Sequence, residues 1–111
     1  MDEVTVRAVK AATAWLDAHE GNGRQQQTVR ILKLTEEAGE VARAWIGLTG
    51  QNPRRGVTHT VDEVAAELAD TAITALVAIE SLGLDSSQVL ADCATKVLAR
   101  LDGGAAAGPT R

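Results

Sequence analysis

The chain has 111 residues, 45% of them apolar, and a formal net charge of −4, a composition typical of one globular domain. The negative charge argues against a nucleic-acid polymer as partner, because proteins that bind such polymers carry basic surfaces. Phe and Tyr do not occur and Trp occurs only twice, so the stacking platforms of single-strand binders are also excluded. Small aliphatic residues must fill the core, and in so short a chain this favours an oligomer.

Apolar residues recur at helical spacing and no strand pattern is evident, so the predicted fold class is all-α. The predicted subunit resembles a four-helix bundle, with helices at about 4–19, 25–48, 61–83 and 86–101. The first helix is expected to bury Val9, Ala12 and Leu16. The Gly21-Asn22-Gly23 segment then ends this helix, and Asn22 with Gln25 is predicted to cap the second.

The second helix is expected to bury one apolar stripe, formed by Ile31, Leu34, Ala38, Val41, Trp45 and Leu48. Turn-forming residues follow in the polar loop 51–59. Thr60 and Glu63 have the spacing of a capping box, which predicts the start of the third helix. Its segment 71–82 is apolar on nearly every side, so we expect this part to be buried.

Gly83 is predicted to end the third helix, and Asp85 with Gln88 to cap the fourth. The fourth helix has a predicted buried face of Val89, Leu90, Cys93, Val97 and Leu101. Residues 1–102 form the predicted domain, and the Gly- and Ala-rich segment 103–111 is expected to be a disordered tail.

Two pairs of carboxylates are the strongest indication of function. Glu37 and Glu40 lie on the second helix, Glu67 and Asp70 on the third, and residues three apart share one helix face. On spacing alone they could form solvated helix faces. Four carboxylates converging at the edge of a core would repel one another strongly, however, and a hard divalent cation would relieve that repulsion. We therefore expect these four residues to be metal ligands.

Other charged residues have weaker or alternative interpretations. Lys33, one turn before Glu37, is either a salt-bridge partner or a phosphate contact. Arg54 and Arg55 lie in the loop that joins the two carboxylate helices, where they could close over phosphates. Lys96, with Arg100 four residues later, is a similar candidate for substrate binding.

The sequence resembles the MazG-like family of all-α nucleoside triphosphate pyrophosphohydrolases, which is marked by Glu-x-x-Glu, a spacer and Glu-x-x-Asp on consecutive helices. Here these motifs are Glu37-Ala-Gly-Glu40 and Glu67-Leu-Ala-Asp70, within a similarity that covers roughly residues 28–98. The resemblance implies Mg²⁺ bound by the four carboxylates, with Mn²⁺ as a possible substitute. It implies attack of water on the α-phosphorus, release of pyrophosphate, and assembly into homodimers or homotetramers. The basic run that family members commonly carry after the last helix is replaced here by Asp102-Gly-Gly.

The first functional hypothesis is thus a cytoplasmic, Mg²⁺-dependent hydrolase of nucleoside triphosphates, in which Glu36 or Glu37 accepts the proton of the attacking water. The N-terminal segment lacks an apolar signal core, and no apolar run is long enough to predict a membrane partner. The alternative is a non-catalytic helical oligomerisation or regulatory module that retains the scaffold. A di-iron carboxylate bundle is disfavoured, because neither histidine has Glu-x-x-His spacing.

Overall fold

The computed structural model describes residues 1–107, which form four α-helices and no strand, so the predicted all-α class is confirmed. The helices are α1 (Glu3–Glu20), α2 (Arg24–Thr49), α3 (Val61–Ser81) and α4 (Ser86–Ala107). The first three follow the predicted bounds within two residues. The predicted tail overlaps α4 at 103–107, and its remaining residues, 108–111, lie outside the described residues. No helix within 1–107 is both long and apolar enough to cross a membrane.

The main core lies between α1 and α3. Asp2 caps α1 by accepting a hydrogen bond from the Thr5 N–H at 2.8 Å, and the helix then places Val9 in full burial. Val9 packs against Leu76 and Val77 of α3, as the apolar segment 71–82 predicted. Around these three lie the partly buried side chains of Ala12, Leu16, Ile73 and Ile79.

Helices α2 and α3 form an antiparallel pair. At one end, the Arg30 guanidinium donates to Ser81 Oγ at 3.1 Å. At the other end, the loop before α3 returns to α2, where the Thr58 N–H donates to the Gly47 carbonyl at 2.9 Å. Gly47 permits this approach, because a Cβ at that position would collide with the His59 ring. These two contacts fix which residues of α2 face which residues of α3.

The face of α2 that packs against the rest of the subunit differs from the predicted stripe. Its buried residues are Arg30, Ala44 and Gly47, whereas Trp45 is 51% exposed and Ile31 is 44% exposed. The stripe prediction was wrong for these two and for Ala38, which is also exposed, because the close approach at Gly47 and the polar partners of Arg30 rotate α2 about its axis. An apolar surface on α2 is left uncovered as a result.

Arg30 links the first three helices through a buried polar cluster. Its guanidinium donates to Asp17 Oδ1 and to the Gly21 carbonyl, each at 2.6 Å, in addition to Ser81. Glu20 adds a longer ion pair at 3.8 Å. The Arg30 Nε has no hydrogen-bond partner. Because Asp17 and Gly21 come from the end of α1, the cluster ties the α1–α2 connection to the last turn of α3.

Of the three predicted helix N-caps, the structure confirms one in full and one in part. Thr60 and Glu63 form the predicted capping box, with hydrogen bonds of 3.2 and 2.9 Å. Asp85 accepts from the Ser87 N–H at 3.0 Å at the start of α4, although its expected partner Gln88 bonds to Asp92 instead. The predicted cap of α2 was displaced by one residue: Gly23 is the N-cap, and its N–H donates to Gln26.

Helix α4 is held mainly by its first turn. The Glu80 carboxylate accepts from the Ser86 N–H at 2.8 Å and pairs with Lys10 at 3.3 Å, and Ser86 itself is buried. Every residue from 91 to 103 is exposed, including Cys93 and Val97. The prediction of a buried face on α4 was therefore wrong, because α4 points away from the other helices. Of the five residues in that face Val89 is half-buried, and the other four are exposed.

The chain exposes more surface than a compact monomer of its size. Its accessible area is 7858 Å², against about 5,800 Å² expected for a folded monomer of this mass. Its radius of gyration is 17.5 Å, against about 13 Å expected for this length. The excess of roughly 2,000 Å² comes with many exposed apolar side chains, Leu90, Leu98 and Leu101 of α4 among them.

Candidate metal centre

Three of the four predicted metal ligands meet between α2 and α3. One carboxylate oxygen from each of Glu37, Glu67 and Asp70 lies within 4.8 Å of the other two. Glu37 and Glu67 are partly buried and Asp70 is exposed, so the group opens to solvent on one side. The antiparallel register makes this possible, since it brings the middle of α2 beside the first half of α3. We call these three residues the carboxylate cluster.

The geometry of the carboxylate cluster suits a hard divalent cation. An octahedral Mg²⁺ with ligands at about 2.1 Å places opposite oxygens about 4.2 Å apart. Adjacent oxygens on the same ion are about 3.0 Å apart, and three ligands always include at least two adjacent pairs. The three oxygens, which lie within 4.8 Å of one another, therefore need to approach by up to about 1.8 Å to share one ion of this kind. All the donors are carboxylates, which favours Mg²⁺ or Mn²⁺ over softer metals. Glu37, Glu67 and Asp70 would be the residues that hold it.

The electrostatics of the carboxylate cluster also favour a cation. Two unit charges 4.8 Å apart repel by about 1 kcal/mol with the screening of bulk water, and by more where the side chains are partly buried. Lys33 offsets part of this repulsion, since its ammonium lies 3.5 Å from Glu37 and 3.7 Å from Glu36. One ammonium facing three carboxylates leaves a net negative charge, which a divalent ion would neutralise.

Glu40, the fourth predicted ligand, lies outside the carboxylate cluster. Its carboxylate forms an ion pair with Arg43 at 3.6 Å, and its side chain is 40% exposed. Glu40 and Glu37 are neighbours on one side of α2, one turn apart. The structure therefore places Glu40 beside the cluster, with its charge directed to Arg43.

The remaining predicted site residues are distributed around the cluster. Glu36 is exposed and contacts Lys33, so Lys33 has the salt-bridge role that the sequence left open. Arg54 and Arg55 lie in an exposed turn that Asn52 holds by accepting from three backbone N–H groups. Lys96 lies on the exposed part of α4, whereas α2 and α3 carry the cluster.

A cavity that the sequence did not predict adjoins this region. It has a volume of about 350 Å³ and lies between α2 and the loop before α3. Arg43, Arg55 and His59 line it, together with Asn52, Thr58, Ile46, Ala42 and three glycines. Arg43 was not among the predicted site residues, although its position three residues after Glu40 was a usable signal. His59 is half-buried.

Comparisons of this chain with protein-family models, with curated proteins and with solved structures find no match.

Proposed function

We propose that the protein is a Mg²⁺-dependent nucleotide pyrophosphohydrolase, which converts nucleoside triphosphates into monophosphates and pyrophosphate. The single observation that supports this most is the carboxylate cluster, because the fold brings Glu37, Glu67 and Asp70 together from two helices. These are three of the four positions that the motif resemblance assigns to the metal. The choice of the α-phosphorus rests on that resemblance.

The residues around the carboxylate cluster suggest separate roles in the proposed reaction. A bound Mg²⁺ supplies electrostatic stabilisation of phosphoryl oxygens and lowers the pKa of a coordinated water. Glu36 is solvent-exposed and adjoins Glu37 on α2, so its carboxylate is accessible to water and would accept a proton from it. Lys33 holds the two glutamates in place through its paired contacts. Arg54 and Arg55, on the loop that leads to α3, would bind the phosphate tail.

Pyrophosphate release from a panel of nucleoside triphosphates, with Mg²⁺ present, tests this proposal. We expect turnover by the wild-type protein and its loss in Glu67→Gln. Asp62→Asn is the matched control, because Asp62 is an exposed carboxylate on the same helix outside the cluster. Absence of turnover on every nucleotide would instead favour the non-catalytic module.

We also propose that the functional form is a homo-oligomer. The excess surface is roughly 2,000 Å² per chain. This is about the area that each subunit of a permanent dimer buries in a large interface. The uncovered apolar residues of α2 and α4 supply such an interface. Light scattering after size-exclusion chromatography should give at least twice the chain mass of 11.6 kDa.

A pair of variants on α4 makes this test specific. Val97 lies in the apolar stripe of α4 and Ala99 on the opposite side, and both are exposed in the single chain. Val97→Asp should shift the protein towards monomer, whereas Ala99→Asp should not, because only the first places a charge in the proposed interface. A stable wild-type monomer at micromolar concentration would refute the proposal.

A further inference from the structure

The cavity between α2 and the loop before α3 is separate from the carboxylate cluster. None of Glu37, Glu67 or Asp70 lines it. Its charged lining is instead basic, with the guanidinium groups of Arg43 and Arg55, and its neutral polar lining comes from Asn52, Thr58 and His59. A basic cavity beside an acidic cluster indicates a second ligand, of opposite charge to the metal.

The walls of the cavity are held in place by backbone contacts. The Asn52 carbonyl accepts from the N–H groups of Arg55 and Gly56 at 3.1 and 3.0 Å, which fixes the turn that carries Arg55. The Thr58 N–H bonds to Gly47, and Thr58 Oγ1 lies 2.9 Å from the His59 ring nitrogen Nδ1. These contacts hold the loop against α2.

We propose that this cavity binds a phosphate dianion, and that binding releases Glu40 to become the fourth metal ligand. Two guanidinium groups with hydroxyl and amide donors match the tetrahedral oxygens of phosphate. The dianion is either free orthophosphate or the end of a nucleotide's phosphate tail. The first half of this proposal stands on the cavity alone. The release of Glu40 rests on the proposed metal site.

Arg43 connects the two sites because it lines the cavity and also pairs with Glu40. The Arg43–Glu40 contact is 3.6 Å long, and the Arg43 side chain is 74% exposed. Exposed pairs of this kind are weak, so a dianion held by Arg55 as well would compete effectively for Arg43. The Glu40 carboxylate would then lose its partner one turn from Glu37, where a cation at the cluster could bind it.

The cavity is tested first without any metal. In the presence of a chelator, calorimetric titration with orthophosphate should show binding to the wild-type protein. Arg55→Ala should raise the dissociation constant at least tenfold, because it removes charge-assisted hydrogen bonds. Arg7→Ala is the matched control, since Arg7 is an exposed arginine on α1 that does not line this cavity, and we expect a change below threefold. Equal effects of both variants, or no phosphate binding by the wild type, would overturn the proposal.

The coupling between phosphate binding in the cavity and metal binding at the carboxylate cluster is tested by repeating the titration with saturating Mg²⁺. The result is corrected for the Mg²⁺–phosphate ion pair measured without protein. We expect Mg²⁺ to tighten phosphate binding two- to fivefold, a small factor because the broken ion pair is weak. In Glu40→Gln the factor should fall to one while phosphate still binds. An unchanged factor in that variant would overturn the role of Glu40, even if nucleotide turnover proved the proposed function correct. Conversely, phosphate binding that responds to Arg55→Ala supports the cavity even if no nucleotide is hydrolysed.

A nucleoside triphosphate with a methylene bridge between the α- and β-phosphorus distinguishes the two sources of the dianion. Displacement of orthophosphate by this analogue in the wild type, and its loss in Arg55→Ala, would identify the nucleotide's own phosphate as the ligand. Simultaneous binding of both would identify free phosphate. Either result supports the cavity as a phosphate site.

Discussion

Neutralising Asp70 should abolish the stabilisation of the protein by Mg²⁺. Asp70 contributes one of the three oxygens of the carboxylate cluster. If the cluster binds the ion only in the folded state, Mg²⁺ at one hundred times its dissociation constant should stabilise the wild type by about 2.7 kcal/mol. For a chain of 111 residues, this corresponds to an increase in melting temperature of about 11 °C.

Without metal, Asp70→Asn should be more stable than the wild type. The substitution removes the repulsion of Asp70 with both Glu37 and Glu67 at separations within 4.8 Å. At about 1 kcal/mol per pair with the screening of water, the variant gains up to about 2 kcal/mol. Its melting temperature in chelator should therefore exceed that of the wild type by up to about 8 °C.

Differential scanning calorimetry at one fixed protein concentration measures both effects. Asp62→Asn is the matched control, because both aspartates are exposed on α3 and only Asp70 belongs to the cluster. Asp62→Asn should keep the full response to Mg²⁺. A full response in Asp70→Asn, or a lost response in Asp62→Asn, would show that the cation binds elsewhere.

Two further predictions concern the scaffold. Arg30→Met should destabilise the protein by about 2–4 kcal/mol in urea denaturation, since it removes three hydrogen bonds of a buried guanidinium and leaves Asp17 without its partner; a loss below 1 kcal/mol would contradict the linking role of this cluster. The Ser86 N–H, with a smaller contribution from Lys10, holds the pKa of the Glu80 carboxyl below its usual value of 4.5, although burial opposes the shift. Because the folded-state pKa is lowered, the stabilisation by ionised Glu80 is fully present above pH 4.5 and is lost as the pH falls through the lower folded value. Glu80→Gln should thus be less stable than wild type at pH 7, and the difference should shrink below pH 4.5; a difference that does not change with pH would contradict this interpretation.

The elements of the fold could be predicted because their signals are local. Helical periodicity and caps such as Thr60 with Glu63 depend on residues within one or two turns. The orientation of α2 depends instead on contacts across the chain, including Arg30 with Asp17 and with Ser81, which are 13 and 51 residues away. The pattern of apolar residues alone therefore misplaced the buried face in part, since three of the six residues in the predicted stripe are exposed. It also could not show that part of that apolar surface remains open on the single chain.

The candidate site was predictable to a similar degree. Spacing placed Glu67 and Asp70 on one face of α3, and the antiparallel pairing of α2 with α3 brought Glu37 to them. From the spacing alone, Glu40 and Glu37 were predicted to be equivalent metal ligands. The structure distinguishes them, because Glu40 forms an ion pair with Arg43. The cavity beside them was not predictable, because it is formed by a loop whose path over α2 depends on Gly47 and His59.

The most direct test of the proposed reaction is hydrolysis of a nucleoside triphosphate in ¹⁸O-labelled water with Mg²⁺, followed by mass spectrometry of the products. Attack on the α-phosphorus predicts label in the nucleoside monophosphate and none in the released pyrophosphate. Label in orthophosphate, with a nucleoside diphosphate as the second product, would contradict the assignment as a pyrophosphohydrolase.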